Sequence, residues 1–429
     1  MTRAPHSDRE RQEMLAAIGV ARLEDLFADI PEEVRFPALD LPPALSEMEL
    51  AAELRRLAAR NDSLEDGPSF LGAGSYRHFI PATVDDVLQR GEFYTAYTPY
   101  QPELSQGMLQ AMFEYQSMIC RLTGMEVSNA SHYDGATSLA EAVLLALNAA
   151  KGDRSRIVLS PSVHPHYREV VATYLRGLDA EQVVPGDRSV AARDLAAHVD
   201  GDTAALVIQT PNFFGRLEDL DGLAEAVHAK GALLIVLADP ISLGLFRPPG
   251  ALGADVVVAD GQPLGISPSF GGPSLGIFAT RRAHVRQLAT REQHIRRARA
   301  TSNICTNSAL GALAAATYLA TLGRQGLRRV AELCHHKAHY AAARLGEIPG
   351  LSVSPDAPDA PFFKEFVLEL PHPAAEVNAR LRTEHGITGG YDLGRACPGW
   401  ENRMLIAVTE TNSRAEIDAL VSALRRLTA

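Results

Sequence analysis

The stretch DVVVADGQPLGISPSFGGPSLGIFAT, residues 255–280, joins two apolar runs, Asp255–Ala259 and Leu275–Ala279, through a short polar turn and a glycine-rich loop. Both runs are rich in Val, Ile and Leu and continuous rather than alternating, the pattern of strands buried on both faces. The same pattern recurs upstream at Arg156–Leu159, Ala204–Gln209 and Leu233–Ala238. Helical patterns lie between the runs, at Ser138–Ala150, Tyr167–Gly177 and Asp219–Lys230. Strands alternating with helices predict an α/β fold with a mainly parallel sheet. In such sheets ligands sit off the carboxyl ends of the strands, where loops enter the next helix.

Outward from this core, SALGALAAATYLATLG (Ser308–Gly323) reads as a small-residue helix linking the sheet to a smaller α+β region. That region is expected to hold a helix to about Ile348, strands at Phe366–Leu370 and Met404–Val408, and helices at Pro373–His385 and Arg414–Leu427. At the other end, MLAAIGVARLEDLF and SEMELAAELRRLAARN are amphipathic and flank a proline-rich connector, Phe36–Pro43. The expected organisation is a helical arm over 1–65, a large α/β domain over 66–307, and a linking helix with a small α+β domain over 308–429. Repeats and low-complexity segments are absent from the sequence.

With 429 residues, 46% apolar and 22% charged, the chain has the composition of a soluble globular protein that buries a large core. The net charge of −11 disfavours a nucleic-acid surface and suits small-molecule chemistry or protein partners. No apolar run is long enough to span a bilayer, and the polar start MTRAPHSDRERQEM has no signal-peptide core. Cys120, Cys305, Cys334 and Cys397 are widely spaced, as expected of reduced thiols in a cytoplasm. His164 and His166, and His335, His336 and His339, cluster without cysteines or carboxylates to complete a metal site, so no metal is expected.

Four places carry residues suited to chemistry. In FYTAYTPYQPELSQGMLQ (Phe93–Gln110), Tyr94, Tyr97 and Tyr100 recur every third residue beside Gln101. Tyrosines in a proline-constrained loop offer rigid faces and phenol donors, although residue types alone favour packing at a subunit interface. In SNASHYDGATSLAEA (Ser128–Ala142), small polar residues including Ser131 run into a helix start, where free N–H groups cradle phosphate; His132 is placed to stack on a planar ring, and an ordinary capped turn is the alternative. Asp239, at the end of LLIVLAD, suits either a ligand-binding carboxylate or a cap on the following turn. The fourth place is the turn of 255–280, with Gln262 and Pro263.

The layout of 255–280 is that of the lysine-bearing segment of pyridoxal phosphate (PLP) enzymes, in which a lysine amine forms the Schiff base. The chain has only four lysines, Lys151, Lys230, Lys337 and Lys364, and none stands at this turn. A glutamine amide cannot form an imine, and arginine is no substitute.

FLGAGSYRHFIPA, FYTAYTPYQPELSQG, SNASHYDGAT, TPNFFGRLEDL, ADPISLGL, DGQPLGISPSFGGPSLGIFATR and TREQHIRRARATSNICTN together resemble the glycine-cleavage P-protein family (glycine dehydrogenase, decarboxylating) nearly end to end. The resemblance is closest to the α-subunit, subunit 1, of the two-chain bacterial form. It implies a fold-type-I PLP-enzyme (aspartate aminotransferase-like) architecture. It further implies no cofactor on this chain, PLP on the lysine of a β-subunit, and an α2β2 heterotetramer. Such a complex decarboxylates glycine and passes the aminomethyl group to the lipoyl arm of H-protein. On this resemblance Tyr94, Tyr97, Tyr100 and Gln101 act across the subunit interface, and Ser131, His132, Asp239 and Gln262 line a vestigial site. The chain departs from the family pattern where Gln287 runs almost directly into Thr290-Arg291-Glu292-Gln293, omitting a Pro-Gly-Arg loop. His132 stands where methionine is commoner, and Arg299 where lysine is usual. A silent scaffold subunit, or a paralogue serving another amino acid, is the competing expectation.

Overall fold

The computed structural model describes residues 6–96, 101, 103–150, 153–188, 190–288 and 308–428. They form two compact units, Met1–Asp62 and Ser63–Ala429.

The first unit holds helices α1 (Asp8–Ile18) and α2 (Glu47–Ala58). Ser7 and Ser46 cap them, each accepting from the backbone three residues on while Glu10 and Glu49 reach back, so two orphan N–H groups are satisfied at each start. Among the described residues of this unit Leu15 is the only buried large apolar side chain, whereas Leu39, Leu41, Met48 and Leu54 are exposed.

The second unit continues with α3 (Ala82–Leu88), α4 (Gly91–Tyr94), α5 (Gln106–Thr123), β1 (Val127–Ser128), α6 (Gly135–Ala149), β2 (Arg156–Leu159), α7 (Pro165–Leu175), β3 (Glu181–Val183), β4 (Thr203–Thr210), α8 (Leu223–His228), β5 (Leu233–Ala238), β6 (Val256–Asp260) and β7 (Gly276–Thr280). After the undescribed residues come α9 (Ser308–Gly346), β8 (Ser352–Val353), β9 (Glu365–Glu369), α10 (Ala374–His385), β10 (Tyr391–Asp392), β11 (Arg403–Ala407) and α11 (Arg414–Leu427). The larger sheet has the order β1-β7-β6-β5-β4-β2-β3. Its β3-β2-β4-β5-β6 run is parallel, while β7 is antiparallel to both β6 and β1. The smaller sheet, β10-β11-β9-β8, is antiparallel throughout.

The α/β reading of the sequence therefore holds, and its physical reason is visible. Val207, Ile235, Val257 and Phe278 lie in the middle of the larger sheet, each at most 1% exposed, with apolar clusters on both faces. α9 breaks at Gly323, whose φ of 58° is left-handed, so two helices meet where the small-residue pattern ends. The segment after Gly67 runs beside the smaller sheet: Phe70 donates to Thr388 and accepts from Ala407, and its side chain packs in that sheet's core. Among the described residues no helix is long and apolar enough to cross a membrane.

Candidate functional site

The carboxyl ends of β4, β5 and β6 converge on a cavity of about 50 Å³, lined by Tyr76, His164, Tyr167, Asp239, Lys364 and Glu365 among others. Asp239 follows β5 directly. Its Oδ1 accepts from the backbone N–H groups of Ile241 (2.9 Å) and Ser242 (3.1 Å), so it caps the next turn. Its Oδ2 meets the Lys364 ammonium at 2.6 Å, with the two side chains 11% and 2% exposed. Capping and charge binding, alternatives in the sequence, are thus both present on one carboxylate.

Lys364 comes from just before β9, so this ion pair ties the two sheets together. Its Nζ also lies 3.5 Å from the centre of the Tyr76 ring and 3.2 Å from His78 Nε2. An ammonium only donates, so Nε2 accepts and the proton of His78 sits on Nδ1, facing Glu410 at 2.7 Å. Burial alone would raise the Glu410 carboxyl. The hydrogen bonds from His78 and the Phe79 N–H outweigh it and lower the group. Cys334 Sγ donates to the same carboxylate at 3.4 Å. His78, Cys334 and Glu410 present ligand-type atoms within 4.8 Å of one another, and hydrogen bonds already engage all three.

Glu365, the next residue, accepts from the Ala73 N–H (2.7 Å) and the Tyr76 hydroxyl (2.8 Å). Burial still wins, and its carboxyl is pushed up to about 7. A carboxyl whose folded value lies above its unfolded value contributes stability that is complete below about 4.5 and falls as pH rises towards 7. At 1.36 kcal/mol per pKa unit the loss is on the order of 3 kcal/mol. Urea unfolding at pH 5 and pH 8 is expected to show Glu365→Gln losing less stability than the unsubstituted chain over that interval. An equal loss in both would mean that Glu365 is ionised in the fold.

His164, which the sequence showed only as half of a histidine pair with no metal role, is a site residue. Its Nε2 donates to the Ala73 carbonyl (2.9 Å) while Nδ1 accepts from the His166 N–H, and burial holds it neutral, lowering it to about 4. Its ring lies 4.8 Å from that of Tyr167 and 4.7 Å from that of Phe213. The signal was available, because His164 stands between the end of β2 and the start of α7.

The expected vestigial set divides. Asp239 lines the cavity; Ser131, His132 and Gln262 do not. Ser131 is buried, and His132 is bridged to Gly276 with its ring edge-on to Phe278 at 5.2 Å rather than facing the cavity. Gln262 clamps the backbone of Tyr76, accepting from its N–H and donating to its carbonyl, each at 2.9 Å. A second contact to the Ile266 carbonyl (2.6 Å) fixes the turn. At the start of α6, where a phosphate cradle was expected, a carboxylate is already seated. Asp260 Oδ2 accepts from the Gly135 N–H at 3.0 Å, and its Oδ1 accepts from the Gln262 N–H and the Ser274 hydroxyl. Tyr94 ends α4 and is 59% exposed. Gln101 is exposed, and Tyr97 and Tyr100 lie outside the described residues.

The model of the glycine cleavage system P-protein matches residues 1–289 and 287–424. The probable glycine dehydrogenase (decarboxylating) subunit 1 of Thermomicrobium roseum is 54% identical over 453 aligned positions, covering 100% of both chains. The chain belongs to the glycine cleavage system P-protein family. The protein of the same description from Geobacillus kaustophilus is 51% identical, with 98% of each chain covered. A solved structure described as glycine decarboxylase (P-protein) of the glycine cleavage system, in inhibitor-bound form, superposes with a TM-score of 0.89 at 44% identity, covering 100% of both chains. An alanine–glyoxylate aminotransferase from Nostoc sp. shares the fold at 17% identity and a TM-score of 0.60, covering 93% of this chain and 100% of that one. The architecture is that of the fold-type-I PLP enzymes. The two stretches of the P-protein match meet at 287–289, the position of the omitted loop.

The P-protein family is PLP-related, which sets a test for this pocket. A resident PLP needs a free amine, a cationic or N–H-rich phosphate seat, and room for a pyridine ring. Here Gln262 offers no amine, Lys364 is held by Asp239, and Asp260 occupies the N-terminus of α6. A 50 Å³ cavity has room for about three or four waters. The residues present do not fit the cofactor.

Proposed function

We propose that this chain is the α-subunit, subunit 1, of a two-chain glycine decarboxylase in the glycine cleavage system, inactive alone. The observation that carries the reading is end-to-end similarity to subunit 1 proteins, at 54% and 51% identity, on a fold whose own pocket is closed by charged side chains. PLP would sit on a lysine of the β-subunit, where it supplies the electron sink for loss of the glycine carboxylate. The aminomethyl group would then pass to lipoylated H-protein, within an α2β2 assembly in the cytoplasm. This chain's part is to frame that site from across the interface, with Tyr94, Tyr97, Tyr100 and Gln101 as phenol and amide donors that orient substrate and exclude water. Large exposed apolar side chains at Phe79, Leu104, Phe113 and Phe270, from 67% to 97% exposed, suit a body that is covered by another subunit.

The expected result is glycine-dependent exchange of labelled bicarbonate when this chain, the β-subunit and H-protein are mixed, and background exchange when this chain is omitted. Full exchange without it would leave the chain as a silent scaffold. The omitted loop at 287–289 favours one second reading, a paralogue whose complex takes another amino acid. Exchange with alanine or serine but not glycine would select it.

A further inference from the structure

Two charges of this chain lie on groups whose chemistry suits the two ends of a phosphorylated pyridine. The Lys364 ammonium lies against Asp239, the strand-end carboxylate suited to hold a protonated ring nitrogen. The Asp260 carboxylate lies against the first N–H of α6, the seat suited to a phosphate. Lys364 is buried and Asp260 is half-buried. Lys364 is 2% exposed, and Asp260 has its oxygens shared among Gly135, Gln262 and Ser274. Gly135 leaves no room for a further group there, since a Cβ would come within 2.9 Å of the Asp260 nitrogen.

We infer that Lys364 and Asp260 are built-in replacements for the cationic and anionic ends of a pyridine-phosphate cofactor, holding the pocket walls in their ligand-bound arrangement with nothing bound. Each joins elements that a ligand would otherwise bridge. Lys364 links the start of β9 to the end of β5, and Asp260 links the end of β6 to the start of α6. They are positioning residues, since neither touches substrate. The inference rests on the reading that this chain carries no cofactor of its own.

The test uses the full chain purified with its partner subunit. The double variant Lys364→Ala/Asp260→Ser frees both seats. Its complex is expected to bind one extra equivalent of pyridoxine 5′-phosphate per copy of this chain over the unsubstituted complex, measured by equilibrium dialysis. That probe lacks an aldehyde, so imine formation elsewhere does not contribute. Each end is also tested alone, in case the double variant does not assemble. Pyridoxine should raise the melting temperature of the Lys364→Ala complex but not that of Lys364→Ala/Asp239→Leu. Inorganic phosphate should raise that of Asp260→Ser more than chloride at equal ionic strength. Assembled variants that respond to none of these probes overturn the inference. An extra equivalent already bound to this chain in the unsubstituted complex overturns instead the reading that it carries no cofactor.

Discussion

Lys364→Ala is expected to destabilise the chain by about 3–5 kcal/mol, because it strands the Asp239 carboxylate in a buried site without its counter-charge. The pair is short, at 2.6 Å, and almost wholly removed from water. The loss therefore reflects an uncompensated charge rather than the net strength of the pair. Replacing both partners, as Lys364→Met/Asp239→Asn, should recover most of it, since the amide keeps the cap on Ile241 and Ser242 and carries no charge. The exposed pair Arg380–Glu384 is the contrast, with side chains 51% and 46% exposed. Arg380→Ala should cost less than about 1 kcal/mol. Chemical denaturation of the variants side by side reads these differences. A Lys364→Ala loss as small as that of Arg380→Ala would mean that the ammonium is not in the pocket.

The second large effect is expected on rate. If Tyr97 and Tyr100 reach the partner's site, Tyr97→Phe and Tyr100→Phe should each slow glycine–bicarbonate exchange on the order of a hundredfold in complexes that assemble normally. Tyr340→Phe is the control. Its hydroxyl donates to Asp418 at 2.7 Å on the far C-terminal helix, so its removal should cost about 1 kcal/mol of stability and leave exchange unchanged. Near-normal exchange in all three variants would assign the tyrosine loop to packing.

The sequence carried the fold because the strands that build it are buried on both faces. Arg156–Leu159 and Leu233–Ala238 match β2 and β5 residue for residue. The edge strands β1, β3, β8 and β10 span two or three residues and have no local pattern, because distant partners define them, as Thr280 does for Val127. The site was legible only in part. Missing imine chemistry at Gln262 could be read from its side chain alone. Its clamp on Tyr76 could not, because that partner lies 186 positions away. Lys364 was invisible for the same reason: it reads as a residue ahead of a strand, and only the packing of the smaller sheet against the larger delivers it to Asp239. Asp260 reads as the end of a strand, and its role depends on the approach of the Gly135 N–H. Charged groups that answer one another across a fold have no periodicity, so the chemistry that closes this pocket was hidden while its frame was plain.

We propose that the cofactor of the assembled complex belongs to the partner of this P-protein subunit. Borohydride reduction of the assembled complex, followed by peptide mapping of pyridoxyl-lysine, tests it most directly. The expected result is a pyridoxyl adduct on a lysine of the partner subunit and none on Lys151, Lys230, Lys337 or Lys364 of this chain. A stoichiometric adduct on Lys364, the lysine that the fold brings into the pocket, would contradict it.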